Sequence, residues 1–521
     1  MTVVAAEILK VYLPSCLCLF SLVALIKFLD KVWRRPIHVQ SVLRSQGVKG
    51  PSYKILHGNI KEIHVMRNKM LSSPMELSHQ IYPRILPHVY LWTKLHGKNY
   101  VSWKGSKPEL VVTEPELVRE ILNNKDGKYP KPHVQSFLKK IFGDGIIVTK
   151  GEKWFKLRKL ANHAFHGGSL KTMIPQMIAS TETMLKRWEK HERKEIEVFK
   201  EFKVFTSETI SRTAFGSSYL EGQQIFDVLT RMTLIFSRNH HRTIKLFRTK
   251  DDDESDKLEK GLRKCIIELV KKREDEARRG EPGFYGHDFL GQLMKLYHET
   301  DKAKRITLDD LIDECKNFYI AGQDTTSSAL TWTVFLLAIN LDWQEKVRNE
   351  VLEQFGQQIP SAEGIARLKM MNMTINESLR LYPPIAGSPR EVQKGARLGD
   401  LILPSKMEVF VPTLPLHTDP QIWGDDVHVF RPERFEGGVA KATNNNTSAF
   451  LPFSLGPRSC VGMNFAITEL KIALTMILQR YRFSLSPSYV HSPVIHIAMC
   501  PQHGLQIMLR PLSSNTCSTS T

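Results

Sequence analysis

Cys460 lies in the run Phe453-Ser-Leu-Gly456-Pro-Arg458-Ser-Cys460-Val-Gly462, with an arginine two residues before it and an amphipathic stretch over residues 463–481 after it. A thiol set between glycines can be aimed into a pocket by a tight loop, which suits a thiolate metal ligand. Loop amides and the N-terminus of the following helix favour negative charge on sulfur, so a lowered thiol pKa is expected. Read alone, a cysteine in a glycine-rich turn is more often inert packing. Other groupings bear on the choice. Trp154 and Arg158 stand four apart, where an indole N–H and a guanidinium on one helix face both reach a carboxylate. In Ala321-Gly-Gln-Asp324-Thr325-Thr326 a carboxylate adjoins a hydroxyl, a pair that can pass protons without flooding a site. Glu377 and Arg380, three apart, taken alone are an ordinary helix-surface ion pair. His163 and His166 lack further ligands at metal spacing and read as structural.

These groups need elements to hold them. Residues 308–340 carry apolar side chains at helical spacing over many turns, enough to cross the centre of a large domain. Gly322 weakens that helix by about 1 kcal/mol relative to alanine, and the adjacent threonines restrict χ1. Local stability is given up for another requirement, and a kink with room beside it is expected. Over residues 89–112, aromatic and β-branched residues separated by Gly97, Gly105 and Pro108 predict short strands. Residues 248–279, with Asp251-Asp-Asp-Glu254 and Lys271-Lys-Arg273, predict a solvated loop followed by an amphipathic surface helix. Gln46-Gly-Val-Lys-Gly-Pro51 reads as a hinge. Asn445-Asn-Thr447 is a formal glycosylation acceptor that a cytosolic body leaves unmodified. Residues 513–521 are small and polar, hence expected to be disordered.

Length alone, 521 residues, suggests two to four domains. Lys plus Arg number 73 against 54 Asp plus Glu, a formal +19. Nucleic acid, an anionic membrane and an acidic partner protein all suit that sign, but no zinc-finger spacing, RNP-like aromatic pattern or basic heptad region accompanies it, which argues against nucleic acid. The seven cysteines, at positions 16, 18, 265, 315, 460, 500 and 517, are odd in number and unclustered, so no disulfide framework is expected and a reducing compartment fits the body. Residues 11–29 are apolar, interrupted only by Pro14, small polar residues and Lys27, long enough to span a bilayer once. The excess of Lys31, Arg34 and Arg35 on the far side places the body on the cytoplasmic face. Because the charge follows the apolar run and no small-x-small cleavage site appears, a retained anchor in the endoplasmic reticulum is preferred to a cleaved signal.

In content and order, these runs resemble the cytochrome P450 haem-thiolate monooxygenases. Phe-x-x-Gly-x-Arg-x-Cys-x-Gly matches at every defined position, and Glu377-Ser-Leu-Arg380 is followed by Tyr382-Pro-Pro384 and later by Phe430-Arg-Pro-Glu-Arg434-Phe435. The wording of residues 46–51, 376–384 and 488–493 is similar to the plant clan containing secologanin synthase and hormone-modifying hydroxylases. The resemblance implies a mainly α fold with a small β-rich region, as one body over 61–512, preceded by a hinge over 36–60 and a single transmembrane anchor over 1–35. It implies haem b held by the Cys460 thiolate, its propionates met by Trp154, Arg158, Arg390 and Arg458. It makes Asp324 and Thr325 the catalytic pair in an oxygen-binding groove, and Glu377, Arg380 and Arg434 a buried structural cluster whose loss at any member is expected to prevent stable haem incorporation. By position, Phe318, Ala321, Ile385, Ala386 and Gly387 are expected to face a substrate pocket, with others between 132 and 145. They are apolar or small, which suggests a lipophilic substrate: a terpenoid, steroid or related plant hormone. Electrons from NADPH are implied to arrive through a separate flavin reductase, whose acidic surface, or membrane lipid, would employ the basic surplus. A haem-thiolate isomerase or dehydratase working without a reductase, and a non-catalytic haem-binding protein, are the alternatives.

Overall fold

The computed structural model describes residues 2–134, 136–239, 248–280 and 284–512. Its N-terminal helix Thr2–Leu29 passes through a π turn, Asp30–Arg34, into the helix Arg35–Ser45. Tyr12–Ser45 is thus long and apolar enough to cross a membrane. Pro36 follows directly on the π turn, where Arg35 N donates to Asp30 O; the helix continues to Ser45 and the non-helical connector begins at Gln46.

The body is built on the helix Leu308–Ile339, whose residues are almost all buried from Leu311 to Ala338. Thr307 and Asp310 close its first turn reciprocally: Asp310 N donates to Thr307 Oγ1 (3.1 Å) and Thr307 N to Asp310 Oδ2 (2.9 Å). Against it pack the helices Val198–Phe215, Lys369–Leu381 and Met463–Arg480. The helix is α-helical throughout, Gly322 included. Gly322 serves packing, because a Cβ there would stand 2.8 Å from the Ile210 side chain. The glycine lets the two helices approach, and that close approach offsets its poor propensity.

The small β region is a four-stranded sheet in the order Asn99–Lys104, Lys107–Val112, Glu408–Pro412, Gly387–Glu391. The middle pair is parallel, with Glu109 opposite Glu408, and the outer pairs are antiparallel, placing Arg390 opposite Val409. Residues 87–96 correct the strand expectation. They form the helix Pro87–His96, opened by proline in its first turn and closed by Gly97 at φ 101°; these end signals outweigh the β-branched composition. Residues 250–279 likewise are helical from the start: Lys250–Arg279 begins with a capping box between Thr249 and Asp252, and its acidic first turn faces the positive end of the helix dipole. The expectation for residues 513–521 lies outside the described residues.

Candidate functional site

The Cys460 loop is held by stereochemistry that few sequences satisfy. Gly456 adopts φ 72° and a Cβ there would lie 2.4 Å from the Leu122 carbonyl oxygen. The turn Gly456–Arg458 follows, Cys460 N donates to Phe453 O at 2.9 Å, and Gly462 then caps the buried helix Met463–Arg480. Cys460 is solvent-accessible, yet protein surrounds its sulfur on most sides, as it would at the floor of a cleft. Burial therefore pushes its thiol up, against the downward pull of the Gly462 amide and Arg158. This corrects the expected lowering: in the bare protein desolvation outweighs the loop dipoles, and only a cation on sulfur would reverse the balance.

Four cations gather beside the loop. Arg158, on the helix Gly151–Ala164, donates from Nη1 to Ser459 O (2.5 Å). Arg458 lies over the Trp154 ring at 4.1 Å and donates to the carbonyls of Thr149 (2.6 Å) and Ile146 (3.3 Å). Arg390, only 1% exposed, gives one nitrogen to Pro389 O (2.9 Å), while Nη2 has no partner. Lys131, between two prolines, was not singled out from the sequence. Burial first, then Arg390 and Arg458, lower its pKa to about 7. Burial with neighbouring positive charge similarly lowers Arg458 to about 9, and burial lowers Arg390 to about 10. Among the described residues no carboxylate pairs with any of the four. A buried cation such as Arg390 is costly without an acid, and the three half-buried ones beside it add like charge; the set fits a ligand carrying its own carboxylates, and the free Arg390 Nη2 is a donor ready for one.

Asp324 and Thr325 project about 100° apart around the central helix and are not hydrogen-bonded to each other. Thr325 Oγ1 donates to Ala321 O (2.7 Å). Asp324 Oδ1 lies 3.4 Å from Lys203 Nζ, without the alignment of a hydrogen bond, and is otherwise unpartnered. Asp324 and Lys203, but not Thr325, border a cavity of about 40 Å³ lined also by Thr230, Thr233, His496 and Cys500. Its walls are mostly apolar, with Lys203, Asp324 and His496 supplying the polar edge, and its volume is about that of one water. Lys203 was also missed, because it comes from a helix more than a hundred residues earlier.

Glu377 and Arg380 are fully buried and paired through both guanidinium edges: Nε to Oε2 and Nη2 to Oε1, each 2.7 Å. Arg431 N also donates to Glu377 Oε1 (3.0 Å), and Arg434 Nε stands 3.4 Å from it while ion-pairing with Asp426 at 2.6 Å. Of the expected pocket residues, Ala321 is accessible on the otherwise buried central helix, Ile385 is accessible in the bend before the strand Gly387–Glu391, and Ala386 packs against the main core. Gly387 begins a strand so close to Val411 O, 2.5 Å from a notional Cβ, that no side chain fits. Phe318 departs from expectation. It is 7% exposed, with its ring 4.0 Å from Phe289 and 5.2 Å from Phe165, so it belongs to an aromatic core cluster.

Residues 84–507 match the family model described as Cytochrome P450. The chain is 54% identical to "Cytochrome P450 CYP749A22" of Panax ginseng, over 97% of this chain and 98% of that protein. It is 37% identical to "7-deoxyloganic acid hydroxylase" of Catharanthus roseus, over 93% and 96% respectively. Among solved structures it is similar to "Retinoic acid bound cyanobacterial CYP120A1", with TM-score 0.71 and 23% identity, over 81% of this chain and 93% of that one.

Proposed function

The chain belongs to the cytochrome P450 family, as a haem-thiolate monooxygenase of plant type, and within it we propose that Cys460 holds the haem iron of an anchored enzyme oxidising a lipophilic isoprenoid. Bound haem supplies the activation of O2, from which one oxygen atom goes to the substrate and the other to water. One observation carries the assignment of the site: a buried arginine with a free Nη2 and three half-buried cations, none paired with an acid among the described residues, lie beside the Cys460 loop. Trp154, Arg158, Arg390 and Arg458 hold the propionates, joined by Lys131. The propionates would repair the electrostatic deficit, and iron would draw Cys460 to its thiolate form.

The remaining residues act on protons and position. Lys203 ion-pairs with Asp324 at the edge of the small cavity; rotation of Asp324 then carries a proton from water there toward the Thr325 hydroxyl. Glu377, Arg380 and Arg434 fix the backbone behind the loop. Ala321 and Ile385 present accessible apolar surface beside Ala386 and Gly387, which suits an apolar substrate. Relatives named for hydroxylating 7-deoxyloganic acid and for binding retinoic acid support a small organic substrate, here a terpenoid, steroid or derived hormone.

Residues 1–35 anchor the enzyme in the endoplasmic reticulum with the 61–512 body in the cytosol, joined by 36–60. Electrons come from NADPH through a flavin reductase. Phe155, 68% exposed on the same helix as Arg158 and one helical turn from Lys159, supports an acidic partner docking close to the Cys460 loop. The test is the carbon monoxide difference spectrum of the full chain: Cys460→Ala is expected to abolish the thiolate-type band, and a surviving band refutes the ligand assignment. NADPH oxidation with reductase and a plant lipid extract then finds the substrate. Product formed without reductase, or no product from any fraction, would turn the reading to an isomerase or a haem-binding protein.

A further inference from the structure

The segment 142–149, which joins the helix Ser136–Phe142 to the helix bearing Trp154 and Arg158, is gripped from two sides. On one side is the central helix. Asp144 N donates to Asp313 Oδ2 (2.8 Å), Ile146 N to Glu314 Oε1 (2.6 Å) and Ile147 N to Asn317 Oδ1 (3.3 Å), while Asn317 Nδ2 donates back to Phe142 O (2.7 Å). Three side chains within five residues of one helix thus satisfy three successive-region amides that no regular structure satisfies. The contact admits no side chain between the layers. A Cβ on Gly143, which also has φ 58°, would lie 1.9 Å from the Asp313 carboxyl carbon, and one on Gly145 would lie 2.3 Å from Asn317 Nδ2.

On the other side is Arg458, which takes the carbonyls of Ile146 and Thr149. Ile146 therefore bridges two elements with one residue, its N–H on the central helix and its C=O on the Cys460 loop. Glu314 is 1% exposed, and its Oε2 has no partner. We propose that Glu314, acting as a neutral acceptor, and Asn317 clamp the 142–149 segment to the central helix and so position Arg458 against the haem. The first half stands on the protein alone; the second rests on Cys460 being the haem ligand. Burial raises the Glu314 pKa to about 8; the Ile146 amide pulls it down, Asp313 and Asp310 push up and Lys153 pulls down, leaving the carboxyl mostly protonated near neutral pH. Without the clamp the segment swings on its glycines, Arg458 loses both carbonyl contacts, and one side of the propionate cradle slackens.

The experiment uses the full haem-loaded chain with Glu314→Gln, Glu314→Ala and Gly145→Ala. Two quantities are read: hydrogen exchange at the amides of residues 144–147, and the rate of haem transfer to excess apomyoglobin. Removal of the acceptor strands the Ile146 amide, and the added Cβ lifts the segment away. Both alanine variants are expected to speed exchange and haem loss about tenfold, while Gln, which keeps the acceptor, stays at the wild-type rates. Exchange at the distant strand Gln506–Pro511 should not change in any variant. Unaltered exchange in both alanine variants overturns the clamp, as does a Gln variant as fast as Ala, since charge rather than acceptance would then be at work. Fast exchange with unchanged haem loss overturns the positioning of Arg458. If Glu314→Ala does not fold, Gly145→Ala, which leaves the helix intact, decides alone. Wild-type protein lacking the thiolate carbon monoxide band would refute the ligand assignment separately, while the exchange data still judge the clamp.

Discussion

Replacing Glu377 by Ala removes the centre of a buried charge cluster, and its cost can be worked out contact by contact. Arg380, 0% exposed, loses both of its 2.7 Å contacts and keeps only the carbonyls of His417 (3.0 Å) and Val427 (2.7 Å) as close partners. Breaking a buried pair from one side costs roughly 3–5 kcal/mol because the remaining charge is uncompensated. Arg431 N is left without its acceptor, adding roughly 1–3 kcal/mol. The sum is comparable with the whole stability of a typical domain, roughly 5–15 kcal/mol. Arg434→Ala should cost less, since Asp426, its other partner, still holds Arg431 at 2.5 Å. The assay is haem per polypeptide after purification, together with the denaturant midpoint. Glu377→Ala should be haem-poor or insoluble, and Arg434→Ala should retain more haem than Glu377→Ala. A Glu377→Ala protein with full haem content and a stability loss below about 1 kcal/mol would refute the reasoning, because it would place the cluster outside the support of the loop.

Asp324→Asn should lower product formation by roughly a hundredfold while NADPH is still consumed, since the amide cannot carry the proton; product per NADPH, measured once the substrate is found, checks this, and unchanged coupling sinks it. Lys203→Met should have the smaller effect of the two, because it releases the carboxylate without removing it. Gly322→Ala should destabilise by roughly 1–3 kcal/mol despite the better helix propensity, because its Cβ meets Ile210. Adding Ile210→Val should recover part of that loss in thermal melts; a more stable Gly322→Ala single variant would show that the helices are free to part.

What could be read from the sequence was chemistry enforced locally. Gly456 has to be glycine for its φ of 72° and for Leu122 O, and Cys460 follows at a fixed distance along the same loop. Lys131 and Lys203 had no such signature: each acquires its role from residues more than a hundred positions away, and nothing local distinguishes a lysine facing Arg390 from one facing water. Gly322 was legible as an anomaly but not as a contact, because Ile210 comes from another helix. In residues 87–96, composition favoured a strand while Pro87 and Gly97 marked a helix, and the end signals prevailed. Phe318 shows the same limit from the other side: helical position puts it near Ala321 and Thr325, but Phe165 and Phe289 take up its ring.

The crowding of positive charge around the Cys460 loop also sets how the haem-free protein must respond to pH. Lys131 has a folded pKa of about 7 against 10.5 ordinarily, so between those values the unfolded chain binds the proton and the folded chain does not. Stability therefore rises with pH across that window, by at most about 5 kcal/mol and by less to the extent that solvent reaches the site. Propionates beside Lys131 would restore its ordinary charge and remove the slope. Urea melts at about pH 7 and about pH 9.5 should thus show the haem-free protein gaining stability at the higher pH and the loaded protein gaining little. Lys131→Met, which deletes the titrating amine and keeps an unbranched side chain, should flatten the haem-free response. A haem-free Lys131→Met protein as pH-dependent as the parent would locate the strain elsewhere, and would remove Lys131 from the set of residues that meet the cofactor.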